Sequence, residues 1–260
     1  MNYKTITPKV LANSFGTTEA DLTNKTLELL NEMNTKYTII SGEERERLVV
    51  KILNKIETDT QVIEEEHFEH AYFNVFRSWL FEKYFEPYNS IYDIGCGCSY
   101  NLIKLCEMFP EKKVYGFDFV QSSVDIVNEL AKNHDLNTEG ALFNIVDPDF
   151  DINLDENSLV FTSGVIEQIA SKFDNFIDFL LQKKPKLVVH VEPTYEVYDQ
   201  EILFDHLAAK FHKKRGYTIG YLPRLKELEK EGKVEILKIK RLNFGSLFME
   251  GFTNIIWRPL

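Results

Sequence analysis

The stretch at residues 90–100 most constrains what this chain can fold into. Its sequence, SIYDIGCGCSY, is an apolar run that ends in Asp93 and is followed by Gly95, Gly97 and a helical pattern. This order predicts a strand, a tight turn and the start of a helix, because glycine permits the backbone angles of the turn and lets a ligand approach the main chain closely. Free N–H groups and the positive dipole end of the helix favour a nucleotide-like ligand.

The spacing of the glycines argues against a dinucleotide. The dinucleotide-binding fingerprint is G-x-G-x-x-G, and its third glycine allows the helix to pack closely on the strand. Tyr100 occupies that position here. The pattern that is present is D-x-G-x-G, in which Asp93 lies two residues before Gly95.

This D-x-G-x-G pattern resembles motif I of the class I S-adenosylmethionine-dependent methyltransferases. In that family the glycine turn lies against the methionine part of the cofactor. The resemblance therefore implies that Asp93, Gly95, Cys96 and Gly97 contribute to a site for S-adenosyl-L-methionine. The chain departs from the family pattern at the usual third glycine, where it has Ser99.

A second acidic residue lies where a cofactor ribose needs one. Residues 114–118, VYGFD, are a short apolar run that ends in Asp118, and Phe119 follows. An acid about 20 residues after the glycines can accept hydrogen bonds from ribose hydroxyls, and Phe119 is suited to lie on the adenine. Taken alone, Asp118 fits the N-cap of the next helix equally well. The resemblance also makes Asp147, after the predicted third strand, the candidate neighbour of the adenine amine.

Composition limits the partners. The 260-residue chain has a formal net charge of −11, which argues against nucleic acid and anionic membrane surfaces, because phosphate binding needs a basic face. No apolar run is long enough to span a bilayer and no secretory signal is recognised, so we expect a cytoplasmic protein. The three cysteines, Cys96, Cys98 and Cys106, do not form a disulfide framework, and no metal site is predicted.

Residues 1–87 are predicted to form a helical N-terminal extension, because their apolar residues follow helical spacing without strand alternation. In small-molecule methyltransferases such an extension often forms a lid over cofactor and acceptor. The resemblance makes Tyr72 a candidate acceptor-binding residue and Arg77 a candidate partner of the cofactor. The alternative is that the aromatic residues are core and Arg77 forms a surface ion pair. His67 and His70 have a spacing that suits a metal, but the adjacent acidic run favours a solvated helix start.

Residues 88–260 alternate between strand and helix patterns, which predicts an α/β domain with a Rossmann-like, doubly wound sheet. By resemblance the sheet has seven strands, mostly parallel, with an antiparallel last strand. Ligands collect at the carboxyl ends of parallel strands, where the motifs above lie. The first strand is predicted to end at residue 93. The other six are predicted at residues 114–117, 141–146, 158–162, 187–191, 233–241 and 253–257.

The acceptor side of the predicted cleft follows the fourth and fifth strands. Residues 164–169, GVIEQI, resemble a family pattern that ends in Glu-His, so Glu167 is a candidate catalytic residue and Gln168, in the place of the histidine, a candidate acceptor-binding residue. Glu192 is the leading candidate for a general base or for a ligand of an acceptor amine, and Tyr195 for a positioning hydroxyl. The alternative is an ordinary solvated loop. His190 is expected to point into the sheet.

A basic cluster, Lys213, Lys214 and Arg215, follows the helix predicted at residues 199–211. One interpretation is that these cations lie at a helix C-terminus with Gly216 as the terminating residue. The other is a site for an anionic acceptor, in which Arg215 makes a bidentate contact. The end of the chain also resembles small bacterial methyltransferases that modify capsule or surface polysaccharides, on sugar or phosphoramidate groups.

Together these features predict an S-adenosylmethionine-dependent methyltransferase that acts on an oxygen or nitrogen of a small polar, anionic metabolite. A nicotinamide-dependent oxidoreductase is the main enzymatic alternative, and the missing third glycine disfavours it. A non-catalytic, cofactor-binding regulatory protein is the other alternative. Gln168 in place of the usual histidine slightly favours that last interpretation.

Overall fold

The computed structural model describes residues 4–5, 61–62, 68–246, 249–250 and 252–260. The chain divides into two compact units, Met1–Tyr72 and Phe73–Leu260. In the first unit, Lys4–Thr5 pairs antiparallel with Gln61–Val62. The helices predicted near residues 18–30 and 43–56, and His67, lie outside the described residues. Among the residues that are described, no helix is long and apolar enough to cross a membrane.

The second unit is built on a seven-stranded sheet. Its strands are β1 (Ser90–Ile94), β2 (Lys113–Asp118), β3 (Thr138–Leu142), β4 (Ser158–Ser163), β5 (Leu187–Glu192), β6 (Val234–Arg241) and β7 (Thr253–Pro259). Their spatial order is β3-β2-β1-β4-β5-β7-β6, in which β7 runs antiparallel to both neighbours and the other pairs are parallel. This confirms the predicted doubly wound sheet with an antiparallel last strand.

Helices pack on both faces of the sheet. Neighbouring residues of a strand point to opposite faces, and in the central strands the residues on both faces are buried. Phe161 of β4 contacts Phe81 and Phe85 at ring-centroid distances of 5.5 and 5.4 Å, whereas the adjacent Val160 belongs to a core that includes Phe176. Both faces are therefore covered by packed apolar side chains, as is usual for parallel strands. The helices are α1 (Phe68–Tyr84), α2 (Tyr100–Met108), α3 (Gln121–His134), α4 (Asp174–Lys183), α5 (Leu203–Arg215) and α6 (Tyr221–Lys230).

The third strand is the one whose predicted position is wrong. It lies at Thr138–Leu142, and the apolar run at residues 141–146 leaves the sheet midway. Phe143 and Ile145 are buried all the same, because this segment packs into the core on the α4 face, where Phe143 contacts Phe179 at 5.2 Å between ring centroids. Their apolar character therefore reflects core packing by an irregular segment.

Asp147 was expected to follow the third strand directly, and this expectation is wrong. The strand ends at Leu142, and Asp147 lies in the irregular segment beyond it, with its side chain exposed. The reason is the early end of the strand, which moves the sheet edge away from Asp147. A contact between Asp147 and an adenine stays a prediction.

Candidate cofactor and acceptor site

The two glycines after β1, Gly95 and Gly97, are needed for different physical reasons. Both have left-handed backbones, with φ of 74° at Gly95 and 53° at Gly97. A Cβ added to Gly95 would clash with the side chain of Val165, so this glycine is needed for packing. A Cβ at Gly97 would meet no described atom within 4 Å. The main chain at Gly97 therefore faces open space, where a ligand can approach it closely.

Ser99 adopts the conformation that a third glycine would have. Its φ and ψ are 65° and 22°, in the left-handed region, directly before α2. The side chain is buried, and its hydroxyl has no hydrogen-bond partner among the residues that the structure describes. The departure from the motif is thus accommodated by backbone strain, which costs about 1–2 kcal/mol for a residue with a Cβ.

Asp118 connects the two motifs that were recognised separately in the sequence. It lies at the carboxyl end of β2, and its Oδ2 accepts a 2.9 Å hydrogen bond from the N–H of Gly97. Its Oδ1 accepts the N–H of Val120 at 2.9 Å, just before α3. The side chain thus holds the glycine turn and the start of α3 together. Each carboxylate oxygen retains a second lone pair for a ligand donor.

The surroundings of Asp118 combine negative charge with an uncovered aromatic ring. Asp93, on the neighbouring strand, is fully buried, and burial together with the nearby Asp118 carboxylate raises its pKa to about 7. Burial also raises the pKa of the Cys96 thiol, so this cysteine is unreactive. Phe119 is 74% exposed. A ligand that offers both hydroxyl donors and an apolar ring fits this edge.

Arg77 does not form the surface ion pair that was the alternative prediction. Its guanidinium is buried and stacks on the ring of Tyr100, 3.7 Å from the centroid. It donates hydrogen bonds to the carbonyl of Tyr100 at 2.7 Å and to Asn74 Oδ1 at 2.6 Å. Arg77 therefore lies beside the first residue of α2, close to the glycine turn. Its contact with a cofactor stays a prediction, as does an acceptor contact by Tyr72, which is half-buried.

Glu192 lies at the end of β5 as expected, but its carboxylate is buried in the protein interior. Only 2% of the residue is exposed, because its strand position pairs with Thr253 of β7. Its oxygens accept hydrogen bonds from the Thr162 hydroxyl at 2.7 Å and from the N–H of Val165 at 2.9 Å. Burial raises its pKa to about 7, against the effect of these donors. Both of its oxygens are engaged by donors of β4 and of the turn that follows, so the carboxylate anchors that turn, and its predicted role as a base stays a prediction.

His190 points into the sheet, as predicted, and its protonation state follows from its partners. Its Nε2 is 3.0 Å from Nε1 of Trp257, which can only donate, so Nε2 is the acceptor and the ring proton lies on Nδ1. Nδ1 is 2.8 Å from the hydroxyl of Thr162, which itself donates to Glu192. Burial lowers the pKa of His190 to about 3, so the ring is neutral. A directed chain of hydrogen bonds therefore runs from His190 through Thr162 to Glu192.

Glu167 and Gln168 lie in the short 3-10 helix Ile166–Ile169, which follows β4. Glu167 is 7% exposed, and burial raises its pKa to about 7, opposed by the positive charge of Arg215. Its Oε2 is buried without a hydrogen-bond partner among the described residues. Gln168 is exposed and donates to the carbonyl of Gly164 at 2.5 Å. Both roles predicted for these residues stay predictions.

The basic cluster is the last turn of α5, as the first of its two interpretations held. Gly216 follows with a left-handed φ of 67°, and its N–H donates to the carbonyl of Lys213 at 3.1 Å. Arg215 is exposed and lies over the ring of Tyr217 at 5.5 Å. Tyr195 is half-buried, and its hydroxyl accepts a hydrogen bond from Gln200 at 2.9 Å. An anion contact by Arg215 and a positioning role for Tyr195 are not tested by these contacts.

The predicted residues thus fall into two groups along the carboxyl edge of the sheet. Sequence reasoning missed the two members that connect the second group, Thr162 and the N–H of Val165. Thr162 directly follows the apolar run at residues 159–161 of β4, and that break in the apolar pattern was the available signal. The first group is Asp93, Gly95, Gly97, Asp118 and Phe119, and the second is Glu167, Gln168, Glu192 and Tyr195.

Three solved structures are similar to this chain in fold, and two of them are described as methyltransferases. The methyltransferase domain of bacterial CtHen1-C superposes with a TM-score of 0.52 at 12% identity, over 71% of this chain and 95% of that one. Geranyl diphosphate C-methyltransferase from Streptomyces coelicolor A3(2), in complex with Mg²⁺, geranyl diphosphate and S-adenosyl-L-homocysteine, gives 0.51 at 10% identity, over 76% and 85%. The pyocyanin biosynthetic protein PhzM gives 0.50 at 12%, over 69% and 53%.

The chain has the class I methyltransferase fold. No protein-family model and no curated protein matches its sequence, and at these identities the structures establish the fold alone. The resemblance to enzymes of surface polysaccharides has no counterpart among these three structures and stays a prediction.

Replacing Ser99 tests whether it occupies a glycine position. Ser99→Gly and Ser99→Ala both remove the unpartnered hydroxyl, but only alanine keeps a Cβ in a left-handed backbone. We expect the glycine variant to be more stable than the alanine variant by about 1 kcal/mol. Urea unfolding of the two variants measures the difference, and an alanine variant of equal or greater stability would contradict the assignment.

Replacing Thr162 tests the hydrogen-bond chain. Thr162→Val keeps the shape but leaves Nδ1–H of His190 without a partner and leaves Oε1 of Glu192 with only the 3.1 Å hydrogen bond from Val165, so we expect the free energy of unfolding to fall by about 2–4 kcal/mol. Thr162→Ser is the matched control, because it keeps the hydroxyl and loses one methyl group, about 1 kcal/mol. Equal losses in chemical denaturation would show that the hydroxyl contributes nothing.

Proposed function

We propose that this protein binds S-adenosyl-L-methionine and transfers its methyl group to an oxygen or nitrogen of a small polar acceptor. The observation that carries the proposal is the joint geometry of Asp118 and Gly97. One carboxylate holds the turn whose main chain faces open space, and it keeps lone pairs for further donors. The fold of the chain supports the same activity.

The residues at this edge fit the cofactor group by group. Asp118 would accept the ribose hydroxyls, and the exposed ring of Phe119 would stack on the adenine. The turn at Gly95 and Gly97 would lie against the methionine part, with Arg77 nearby at Tyr100 for its carboxylate. The buried acids beneath the turn supply negative potential, which suits a cationic ligand.

When bound, the cofactor supplies a methyl group on a positively charged sulfur, and the sulfur leaves with the electrons of its bond as the acceptor's lone pair forms the new bond to the methyl carbon. The chain's own contribution is to hold the acceptor beside the cofactor in line for that displacement, since orientation alone can lower the barrier by several kcal/mol. The second group of residues, after β4 and β5, lies at the same edge of the sheet and is the proposed acceptor side.

We further propose that the acceptor is a small anionic metabolite. Support comes from the cationic end of α5, where Arg215 is exposed and close enough to Glu167 to oppose the rise in its pKa. A role in the biosynthesis of surface polysaccharides is the narrower form of this proposal, and it rests on the sequence resemblance alone. The net charge of −11 disfavours nucleic acid as a partner.

Changes at the cofactor half should weaken binding of S-adenosyl-L-homocysteine. Phe119→Ala removes an exposed ring without disturbing the core, and loss of base stacking, about 1–3 kcal/mol, should raise Kd roughly tenfold. Asp118→Ala should raise Kd at least roughly tenfold, because charge-assisted hydrogen bonds are worth about 1.5–3 kcal/mol each. Isothermal calorimetry measures both.

The matched control is Ile126→Ala, which removes an exposed apolar side chain from α3 and should leave Kd unchanged. Calorimetry with NAD on the same samples tests the oxidoreductase alternative. If the folded wild-type protein binds NAD and not S-adenosyl-L-homocysteine, the proposed cofactor is wrong. If Phe119→Ala and Asp118→Ala both keep the wild-type Kd, the cofactor lies elsewhere.

The acceptor can be found by mass spectrometry of a metabolite pool incubated with the protein and methyl-labelled cofactor. For the acceptor so identified, Arg215→Ala should raise KM about tenfold when assayed at pH 9, where the neighbouring Glu167 is ionised with or without this cation and the variant loses only a binding contact. Lys214→Ala is the neighbouring control. A neutral acceptor, or an unchanged KM, would contradict the anionic proposal. Cofactor binding without any methylated product would favour the regulatory alternative.

A further inference from the structure

Glu167 is a buried carboxyl group that the protein leaves unsatisfied. It lies in the 3-10 helix after β4, is 7% exposed, and has no described partner for its buried Oε2. An ionised carboxylate is unfavourable in such a place unless a proton or a donor meets it, and buried polar groups without partners are rare. The group therefore needs either its own proton or a donor from a ligand.

Glu192, its neighbour, is in the opposite situation. It accepts hydrogen bonds from the Thr162 hydroxyl at 2.7 Å, from the N–H of Val165 at 2.9 Å and, more weakly, from the N–H of Glu167 at 3.5 Å. The chain from His190 fixes the hydroxyl of Thr162 as a donor. Hydrogen bonds to a carboxylate favour its charged form. Of the two neighbouring carboxyls, Glu192 is therefore the one whose charged form the protein supplies with donors, and Glu167 is the one left without them.

The space in front of this turn is open to a ligand. Gly164, between β4 and the 3-10 helix, has a left-handed φ of 67°, and a Cβ placed there would meet no described atom within 4 Å. The turn belongs to the same carboxyl edge of the sheet as the Asp118 site, one strand beyond β1 in the order of the sheet. A group bound along that edge can therefore lie against the main chain of this turn, three residues before Glu167.

We propose that Glu167 takes the proton from the nucleophile of the methyl acceptor, and that Glu192 is the positioning residue that holds its turn in place through these hydrogen bonds. This inference rests on the proposed function. It makes the acceptor a molecule whose reacting atom carries a proton, a hydroxyl or an amine.

The O–H or N–H bond of the acceptor breaks, its electron pair stays on the oxygen or nitrogen, and the proton goes to the carboxylate of Glu167, at the oxygen other than the enclosed Oε2. That pair replaces the one that the nucleophile gives to the incoming methyl group. The proton then passes to water. Glu167 must be ionised when the acceptor arrives, so turnover should rise with pH through the neutral range and level off above it.

Other groups packed around Glu167 set the range in which it titrates. Glu192, from β5, adds negative charge, and Arg215, at the end of α5, adds positive charge. His190 and His212 are buried, which lowers their pKa values and keeps them neutral. Tyr221, from α6, has a raised pKa and is also neutral. The balance therefore depends on one anion and one cation.

The test is a carbon-13 NMR titration of the full-length protein labelled at the glutamate side-chain carboxyl carbon, from pH 5 to pH 9. We expect one glutamate signal to titrate near neutral pH, to be absent in Glu167→Gln, and to remain in the control Glu156→Gln, which changes an exposed residue before β4. Arg215→Ala, at an exposed position, should raise the midpoint of this signal by at least about half a pH unit, because it removes the neighbouring cation.

Glu192→Gln should lower the midpoint of the Glu167 signal by about one pH unit, since it removes the neighbouring negative charge. If that variant does not fold, the Arg215→Ala shift decides the same point. The inference is overturned if the signal lost in Glu167→Gln titrates with the exposed glutamates, or if the near-neutral signal disappears in Glu192→Gln instead.

Two further measurements separate this inference from the proposed function. Glu167→Gln should keep the wild-type Kd for S-adenosyl-L-homocysteine within about twofold, and with the acceptor identified its turnover should fall about 10²–10⁴-fold. A wild-type protein that does not bind S-adenosyl-L-homocysteine overturns the proposed function. A protein that binds it while Glu167→Gln keeps wild-type turnover overturns only the role of Glu167.

Discussion

Both halves of the candidate site depend on one interaction, a strand-end carboxylate that accepts backbone N–H groups from the turn after the neighbouring strand. Asp118, at the end of β2, holds the turn after β1 through Gly97. Glu192, at the end of β5, holds the turn after β4 through Val165. In each case the acid is mostly desolvated and the turn carries a left-handed glycine. The protein thus fixes two turns that have few other constraints, at the edge where parallel sheets bind ligands.

These strand-end carboxylates determine the electrostatics of the carboxyl edge of the sheet. Four acids, Asp93, Asp118, Glu167 and Glu192, are buried along it, and three of them have pKa values raised to about 7 by burial. Within the part of the chain that the structure describes, backbone donors reach Asp118 and Glu192 but not the other two, which hold protons or await ligand donors. A carboxylate with donors serves as a fixed part of the scaffold, whereas one without donors remains free for chemistry.

Sequence reasoning succeeded where the physical signal was local. The glycine turn, Asp118 and the order of strands and helices follow from residues close together in the chain, and even Ser99 takes the conformation that the motif implies. The orientation of Glu192 and the stacking of Arg77 on Tyr100 were missed. They depend on which strand lies beside β5 and on a contact between separate helices. The position of the third strand was missed because Phe143 and Ile145 are apolar for packing outside the sheet.

The place of β7 in the sheet has a consequence for how the site forms. β7 lies between β5 and β6, although it follows both in the chain, and its Trp257 donates to His190 across 67 positions of sequence. Until β7 inserts, β5 has an open edge and the ring of His190 lacks its Trp257 donor, which leaves only the Tyr221 hydroxyl at Nε2. Closing so long a loop is entropically slow. We therefore expect the acceptor half of the edge to be completed later in folding than the Asp118 half, which is built from β1 and β2.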